Sequence, residues 1–452
     1  MPLTRWLAEY AWLPDHAEPT PDVLIEAEAG RITAVTPLVG GGAAPAGVEV
    51  LGDAVRLPGL TLPGLANAHS HAFHRALRGR THGGRGDFWS WRDVMYDVAA
   101  RLDPDSYLAL ARAAYAEMAL AGITCVGEFH YLHHGPEGRP YADPNAMSAA
   151  LVEAAAHAGI RLTLLDTAYL TAGVDGAELV GTQRRFGDGD ALRWAERVDA
   201  FRPENDHARR GAAIHSVRAV PAEQLATVAG WADRNGMPLH VHLSEQPAEN
   251  DACRAVHGCT PTRLLADHGV LGPHTTAVHA THPTSGDVAL LGESRTGVCL
   301  CPTTERDLAD GIGPARRMAE AGSPLSVGSD SHAVVDLFEE ARAVELDERL
   351  RTRRRGHFSP AELVTAATVA GHAALGWGDA GRLSVGDRAD LVTVRLDSAR
   401  TAGVPPVGAF FAATAADVTH VVVDGRTVVA DGRHQTVDVP TELRHAIGEV
   451  TS

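Results

Sequence analysis

The chain contains no lysine: all 40 of its basic side chains are arginine, set against 57 acidic ones in 452 residues. That absence excludes a phosphate-binding P-loop lysine, a Schiff-base lysine and a carbamylated lysine bridging two metal ions. Any cationic contact to a substrate must come from arginine, histidine or a metal. The formal net charge of −17 argues against a general nucleic-acid binder, which needs a basic field. Cysteine is scarce as well. Cys125, Cys253, Cys259, Cys299 and Cys301 are an odd number in a long chain, which makes no disulfide framework and suits a reducing compartment. Cys299 and Cys301 alternate within an apolar run, as buried strand residues do. No apolar stretch approaches the roughly 18–20 residues of a membrane span. The first residues lack the basic start and apolar stretch of a signal peptide. The expectation is a soluble cytoplasmic protein with neither membrane nor nucleic acid as partner.

What is present is ordinary globular composition, 45% hydrophobic and 21% charged. The length allows two to four domains at about 100–200 residues each, or one large barrel with an appendage. Both ends read as short strands. DVLIEAEAGRITAVTPL has two β-rich stretches broken at Gly30-Arg31, and GDRADLVTVRL is followed by VTHVVVDGRTVVADGR. Asp424-Gly425 between valine-rich runs signals a hairpin. Gly40 to Gly47 reads as a Gly/Ala-rich turn region. This predicts one small β-sandwich domain built from both termini (1–60 and 380–452) around a middle of 61–379.

The middle alternates strand and helix. A helix with Asp103-Pro104 at its start and Gly122 past its end precedes the strand ITCVGEF. Counting TLPGLANAHSH as the first, eight β segments are each followed by a helical or loop segment: an α/β chain, with a (β/α)8 barrel of the TIM type as the expected core. The other reading is an open doubly wound sheet, but no Gly-x-Gly-x-x-Gly follows an early strand. In such a barrel the chemistry sits at the C-terminal strand ends. Four polar clusters fall there in order: Asn67-Ala-His69-Ser-His71, His240-Val-His242-Leu-Ser-Glu245, His279-Ala-Thr-His282 and Ser329-Asp330-Ser331-His332. Residues two apart on a strand share a face, so His69 and His71 can point at one ion. Imidazole and carboxylate are the ligands of a zinc-like ion. With 24 histidines, one His-x-His pair is a weak signal; four clusters at four strand ends are a metal site.

These motifs resemble the amidohydrolase superfamily over nearly the whole chain, down to GRLSVGDRADLVTV at the return into a small β-sandwich. The resemblance implies a distorted barrel plus that sandwich. The missing lysine fits the branch of deaminases with one metal ion. NAHSHAFHRAL, DFWSWRDVMY, GEFHYLHH, AIHSVRAV, HVHLSEQPAEND and SDSHAVVDLFEEAR are similar to the formimidoylglutamate deiminases of histidine degradation. That likeness implies His69, His71, His242 and Asp330 as metal ligands, most simply of one zinc ion per chain. It implies His279 for the proton of the catalytic water and Glu245 for the departing nitrogen. It also implies Tyr131, His215, Arg218 and Arg92 as substrate contacts, and a homodimer. Some members carry glutamine three residues after the second histidine. Here that place is His74, so hydrogen bonding at that pocket edge differs.

The implied substrate, N-formimino-L-glutamate, is a small di-acid, and carboxylates are best clamped by arginine. Two other functions remain open: a deaminase of an aminated heterocycle such as guanine, adenosine or a triazine, and a catalytically silent metal-binding barrel. The arginine runs at Arg351–Arg355 and Arg209-Arg210 read as solvated faces. The cluster Phe88-Trp89-Ser-Trp91 reads as a packed loop or a lid over the substrate.

Overall fold

The computed structural model describes residues 3–38, 53–81, 88–203 and 206–452; the turn region expected at 40–47 lies outside them. The eight expected strands form one parallel sheet in chain order. They are Leu65–Ser70, Ile123–His130, Arg161–Ala168, Ala208–Ile214, Leu239–Leu243, Thr275–His279, Gly297–Leu300 and Leu325–Val327. Most are buried along their whole length, as strands covered on both faces must be, so they read as continuous apolar runs. The helix Pro104–Leu120 starts as its sequence dictates. Asp103 accepts from the Ser106 backbone N–H, the Ser106 side chain bonds back, and Pro104 sits in the first turn.

The barrel closes without a full ladder between its eighth and first strands. A single bridge pairs Ser70 with Asp330. Asp330 N–H donates to the His69 carbonyl at 3.0 Å, and His71 N–H to the Asp330 carbonyl at 3.2 Å. Just below, the Asn67 amide donates to Ser329 Oγ at 2.7 Å and accepts from Ser329 N–H at 2.9 Å. Gly328 permits this approach, because a Cβ there would come within 2.7 Å of the His69 carbonyl oxygen. The seam therefore falls where the ligand candidates lie.

A second sheet of eight strands draws on both ends of the chain. Thr4–Ala11, Thr20–Glu28, Arg31–Pro37 and Val55–Pro63 come from the first part. Leu391–Val394, Val418–Val423, Arg426–Ala430 and Arg433–His434 come from the last. Both turns are two-residue hairpins of positive φ: Asp424-Gly425 as expected, and Ala29-Gly30 one residue before the expected break, since Arg31 already pairs with Glu28 in the strand. TLPGLANAHSH is not one strand. It divides at Gly64: residues up to Pro63 pair with Thr4–Ala11 and Leu391–Val394, and residues from Leu65 enter the barrel. A Cβ at Gly64 would lie 2.3 Å from Thr124 Oγ1 and 2.8 Å from Asp390 Cβ, so only glycine passes between the two sheets.

Several helices lie outside the sequence expectation. Phe88–Arg101 is a helix, not a loop. Pro247–His257, Leu337–Thr352 and Val439–Thr451 are helical too. One arginine run also differs. Arg353, Arg354 and Arg355 are exposed, but Arg210 is buried, donating to the Val198 carbonyl at 2.9 Å with its guanidinium 5.6 Å from the Trp231 ring centre. Among the described residues no helix is long and apolar enough to cross a membrane.

The barrel is pinned to the second sheet by a buried ion cluster. The Arg161 guanidinium, at the start of the third barrel strand, forks onto both oxygens of Asp390 and reaches Asp424 Oδ1 at 3.2 Å. It also lies 5.1 Å from the Trp377 ring centre. Burial opposes its charge, but Asp390 outweighs that and pushes its pKa up. Removing one partner of a buried pair strands the other, at a cost of about 3–5 kcal/mol. Arg161→Met should therefore lower the unfolding free energy by about that amount in a denaturant titration. A change below about 1 kcal/mol would show that the cluster does not join the two sheets.

Candidate active site

Strand alternation decides which histidines face inward. His69 and His71 share a face of the first strand, and His71 Nδ1 meets the Phe129 carbonyl at 2.9 Å, which turns Nε2 toward the barrel axis. On the fifth strand His242 faces the same point, and His240, two residues earlier on that face, bonds the Ala374 carbonyl instead. His242 Nε2 and His69 Nε2 are 3.1 Å apart. Asp330 Oδ1 lies 3.4 Å from both His69 Nε2 and His71 Nε2. Its other oxygen faces His279 Nε2 at 3.7 Å. Asp330, His279 and Ser244 all have positive φ, at 40°, 68° and 51°. Such strained strand ends persist where surroundings over-determine them, as at functional sites.

The charge states are split across this cluster. Burial pushes the His69, His71 and His242 pKa values down, His71 to about 3, and mutual repulsion adds to it for His71 and His242. Burial alone would raise Asp330, but the surrounding imidazoles outweigh it and hold the carboxyl well below its usual range. Three imidazoles with free lone pairs and one ionised carboxylate fit a divalent ion of the zinc class. The candidate ligand atoms of His69, His71 and Asp330 lie within 4.8 Å of one another, as do those of His69, His242 and His279.

The other side of Asp330 holds protons. Burial works against a charged His279, but Glu245, Glu305 and Asp330 outweigh it and push its pKa well up. Glu245 Oε1 lies 3.9 Å from His279 Nε2, and Glu305 Oε1 lies 3.5 Å from His279 Nδ1. Burial, helped by Asp330, pushes the Glu245 carboxyl to about 7. Asp310 is pushed to about 9 by burial and the neighbouring Glu245. Sequence reasoning missed Glu305 and Asp310. Glu305 was findable, because it follows the seventh strand by a few residues, on the face where such loops gather. Its Oε1 is fixed by the Cys301 N–H at 3.0 Å.

Above this floor lies a pocket. Its lining brings together His71, His74, Arg92, Tyr131, His215, Arg218, His242, Glu245, His279 and Asp330. Every site residue expected from the sequence is there except His69, which is wholly buried beneath it. Arg92 comes from the helix Phe88–Arg101, as do Trp91, Met95 and Tyr96. Arg218 follows the fourth strand and is half-buried. His74 Nε2 meets the Tyr131 hydroxyl at 2.9 Å, so the residue replacing glutamine bonds a neighbouring pocket residue. Tyr169, Phe186 and Leu308 add apolar walls that the sequence did not reveal.

A closed parallel barrel with this strand-end set defines the class, and the amidohydrolase family profile matches residues 60–428. The chain belongs to the amidohydrolase family, whose members are metal-dependent hydrolases. It is 40% identical to formimidoylglutamate deiminase of Pseudomonas aeruginosa, over 84% of this chain and 87% of that protein. It is 31% identical to 5-methylthioadenosine/S-adenosylhomocysteine deaminase of Halobacterium salinarum, over 92% and 90%. The crystal structure of an amidohydrolase from Brucella melitensis superimposes with a TM-score of 0.88 at 32% identity, covering 99% of this chain and all of that one.

If the four side chains hold the ion, loss of one leaves it under-coordinated. Purified His71→Ala and Asp330→Ala proteins should carry well under one zinc per chain by elemental analysis. Full zinc content in either would remove that residue from the ligand set.

Proposed function

We propose that this protein hydrolyses N-formimino-L-glutamate to N-formyl-L-glutamate and ammonia, as a step of histidine degradation. One observation carries the reading: two arginines, Arg92 and Arg218, enter the same cavity as the histidine–aspartate set. A di-acid needs such partners, since guanidinium groups clamp carboxylates in pairs of hydrogen bonds. An uncharged heterocycle would not. The 40% identity to a formimidoylglutamate deiminase supports the same substrate. Tyr131, His215 and His74 supply neutral polar contacts beside them.

His69, His71, His242 and Asp330 would hold one zinc ion per chain. Such an ion lowers the pKa of a water toward about 7 and polarises the carbon it attacks. Asp330 Oδ2 takes the proton as the water oxygen bonds to the formimino carbon, while His279, favoured in its charged form, faces that carboxylate through Nε2–H. Glu245, beside His279, returns a proton to the terminal nitrogen. The hydroxyl of the adduct then gives up its proton to the same nitrogen as the bond from carbon to that nitrogen breaks, so ammonia leaves with both protons of the water and the formyl C=O remains. Proton delivery to the terminal nitrogen selects the product, because loss of the other would break the chain to glutamate. Glu305 holds the far side of the His279 ring. We place the enzyme in the cytoplasm as a homodimer, in keeping with its free cysteines and with the resemblance.

Arg218 tests the substrate. A charge-assisted bond contributes about 1.5–3 kcal/mol. Arg218→Met should thus lower kcat/KM on N-formimino-L-glutamate at least about tenfold, at 1.4 kcal/mol per factor of ten, with zinc content unchanged. Arg218→Lys should restore only part, since an ammonium cannot fork. Unchanged kcat/KM in Arg218→Met would reject the di-acid clamp.

The proton carriers give a second test. His279→Ala and Glu245→Gln should each lower kcat about 100- to 10,000-fold with zinc retained. A loss under about threefold would leave them outside the chemistry.

A further inference from the structure

The middle residue of His69-Ser70-His71 points away from the metal set, as alternation on a strand requires. Ser70 is wholly buried, and its hydroxyl donates to Glu128 Oε2 at 3.0 Å. Its oxygen lies 2.9 Å from His332 Nε2. A serine has one proton to give, and here the carboxylate takes it, so His332 Nε2–H is the donor to Ser70. Glu128 Oε1 accepts the Ala72 N–H at 2.7 Å. Glu128 also directly precedes Phe129, whose carbonyl orients His71. His332 is two residues past Asp330, at a positive φ of 58°, and its carbonyl accepts from Arg78 Nε at 2.6 Å.

One hydroxyl thus ties together the ends of the first, second and eighth strands, directly behind three of the four ligand candidates. Backbone pairing is weakest there. The ladder between the first and second strands shifts register between Asn67 and Ser70, and the eighth strand meets the first only through an isolated bridge. Side chains must supply the register that the ladder does not.

We propose that Ser70, Glu128 and His332 form a clasp that positions His69, His71 and Asp330, and so sets the affinity for the metal ion without deciding the fold. The inference rests on the four-ligand reading of the site. Partners behind metal ligands typically contribute about 10- to 100-fold in metal affinity.

The test is zinc affinity by competition with a coloured chelator, beside thermal unfolding of the metal-free proteins. The wild type and His71→Ala come first. A wild type that binds no zinc, or binds it as well after His71→Ala, sinks the ligand set itself. With that control passed, Ser70→Ala and Glu128→Ala should each raise the zinc Kd about 10- to 100-fold. The metal-free Tm should move by less than about 2 °C, the size of a change of about 2 kcal/mol in a chain this long. The double variant should bind no more weakly than the worse single one, since both break one device. Glu128→Gln should keep most of the affinity, because its amide can accept from Ala72 and donate to Ser70. A Kd within about threefold of wild type in Ser70→Ala, well under the expected range, would overturn the clasp. So would affinity loss that follows a matching fall in metal-free Tm, or equal losses in Glu128→Gln and Glu128→Ala.

Discussion

The structure depends on one seam, where the first barrel strand meets the eighth. Seven strand pairs are held by ladders, but this one is held by Asp330, whose backbone bonds the His69 carbonyl and the His71 N–H, with Asn67 and Ser329 bonded below them. Closing the barrel and bringing the candidate ligands together are therefore one event. If the seam opened, His69 and His71 would part from Asp330. Gly328 and Gly64 serve the same end, one admitting the eighth strand against His69, the other passing the chain between sheets.

Asp330 also divides the electrostatics of the site. Its Oδ1 faces imidazoles that burial keeps neutral, which is the condition for donating lone pairs. Its Oδ2 faces His279, which Glu245 and Glu305 favour in the charged form. One side of a single carboxylate faces imidazoles kept neutral and the other faces an imidazole favoured in its charged form. In a chain without lysine, the remaining positive charge at the pocket comes from Arg92 and Arg218. They stand above this floor, where the remote end of a substrate would lie.

The eight barrel strands, the two-ended second sheet and the clustering of the site residues were legible in the sequence, while several helices were not. His69, His71, His242, His279 and Asp330 could be found because strand ends in a barrel converge and because alternation pairs residues two apart. His240 shares the face of His242 but bonds the Ala374 carbonyl instead. The helix Leu337–Thr352 was illegible for a physical reason. Its inward face carries Glu340, Glu345 and Glu348, which accept the backbone N–H groups of Thr303, Phe358 and Arg316. Buried acids of that kind read as a polar surface. Arg210 misled in the same way, since a guanidinium bonded to a carbonyl and placed near Trp231 looks in sequence like any solvated charge. Ser70 gave no signal at all, because its partners lie 58 and 262 residues away.

The central claim is that a metal set and two arginines share one pocket in order to deaminate a small di-acid. It is tested most directly by ammonia release from the zinc-loaded enzyme, with N-formimino-L-glutamate compared against guanine, adenosine and an aminotriazine. The account predicts turnover of the di-acid with kcat/KM in the usual enzymatic range of about 10⁴ M⁻¹s⁻¹ or more, and little or no ammonia from the heterocycles. Rapid deamination of a heterocycle with no turnover of the di-acid would contradict it.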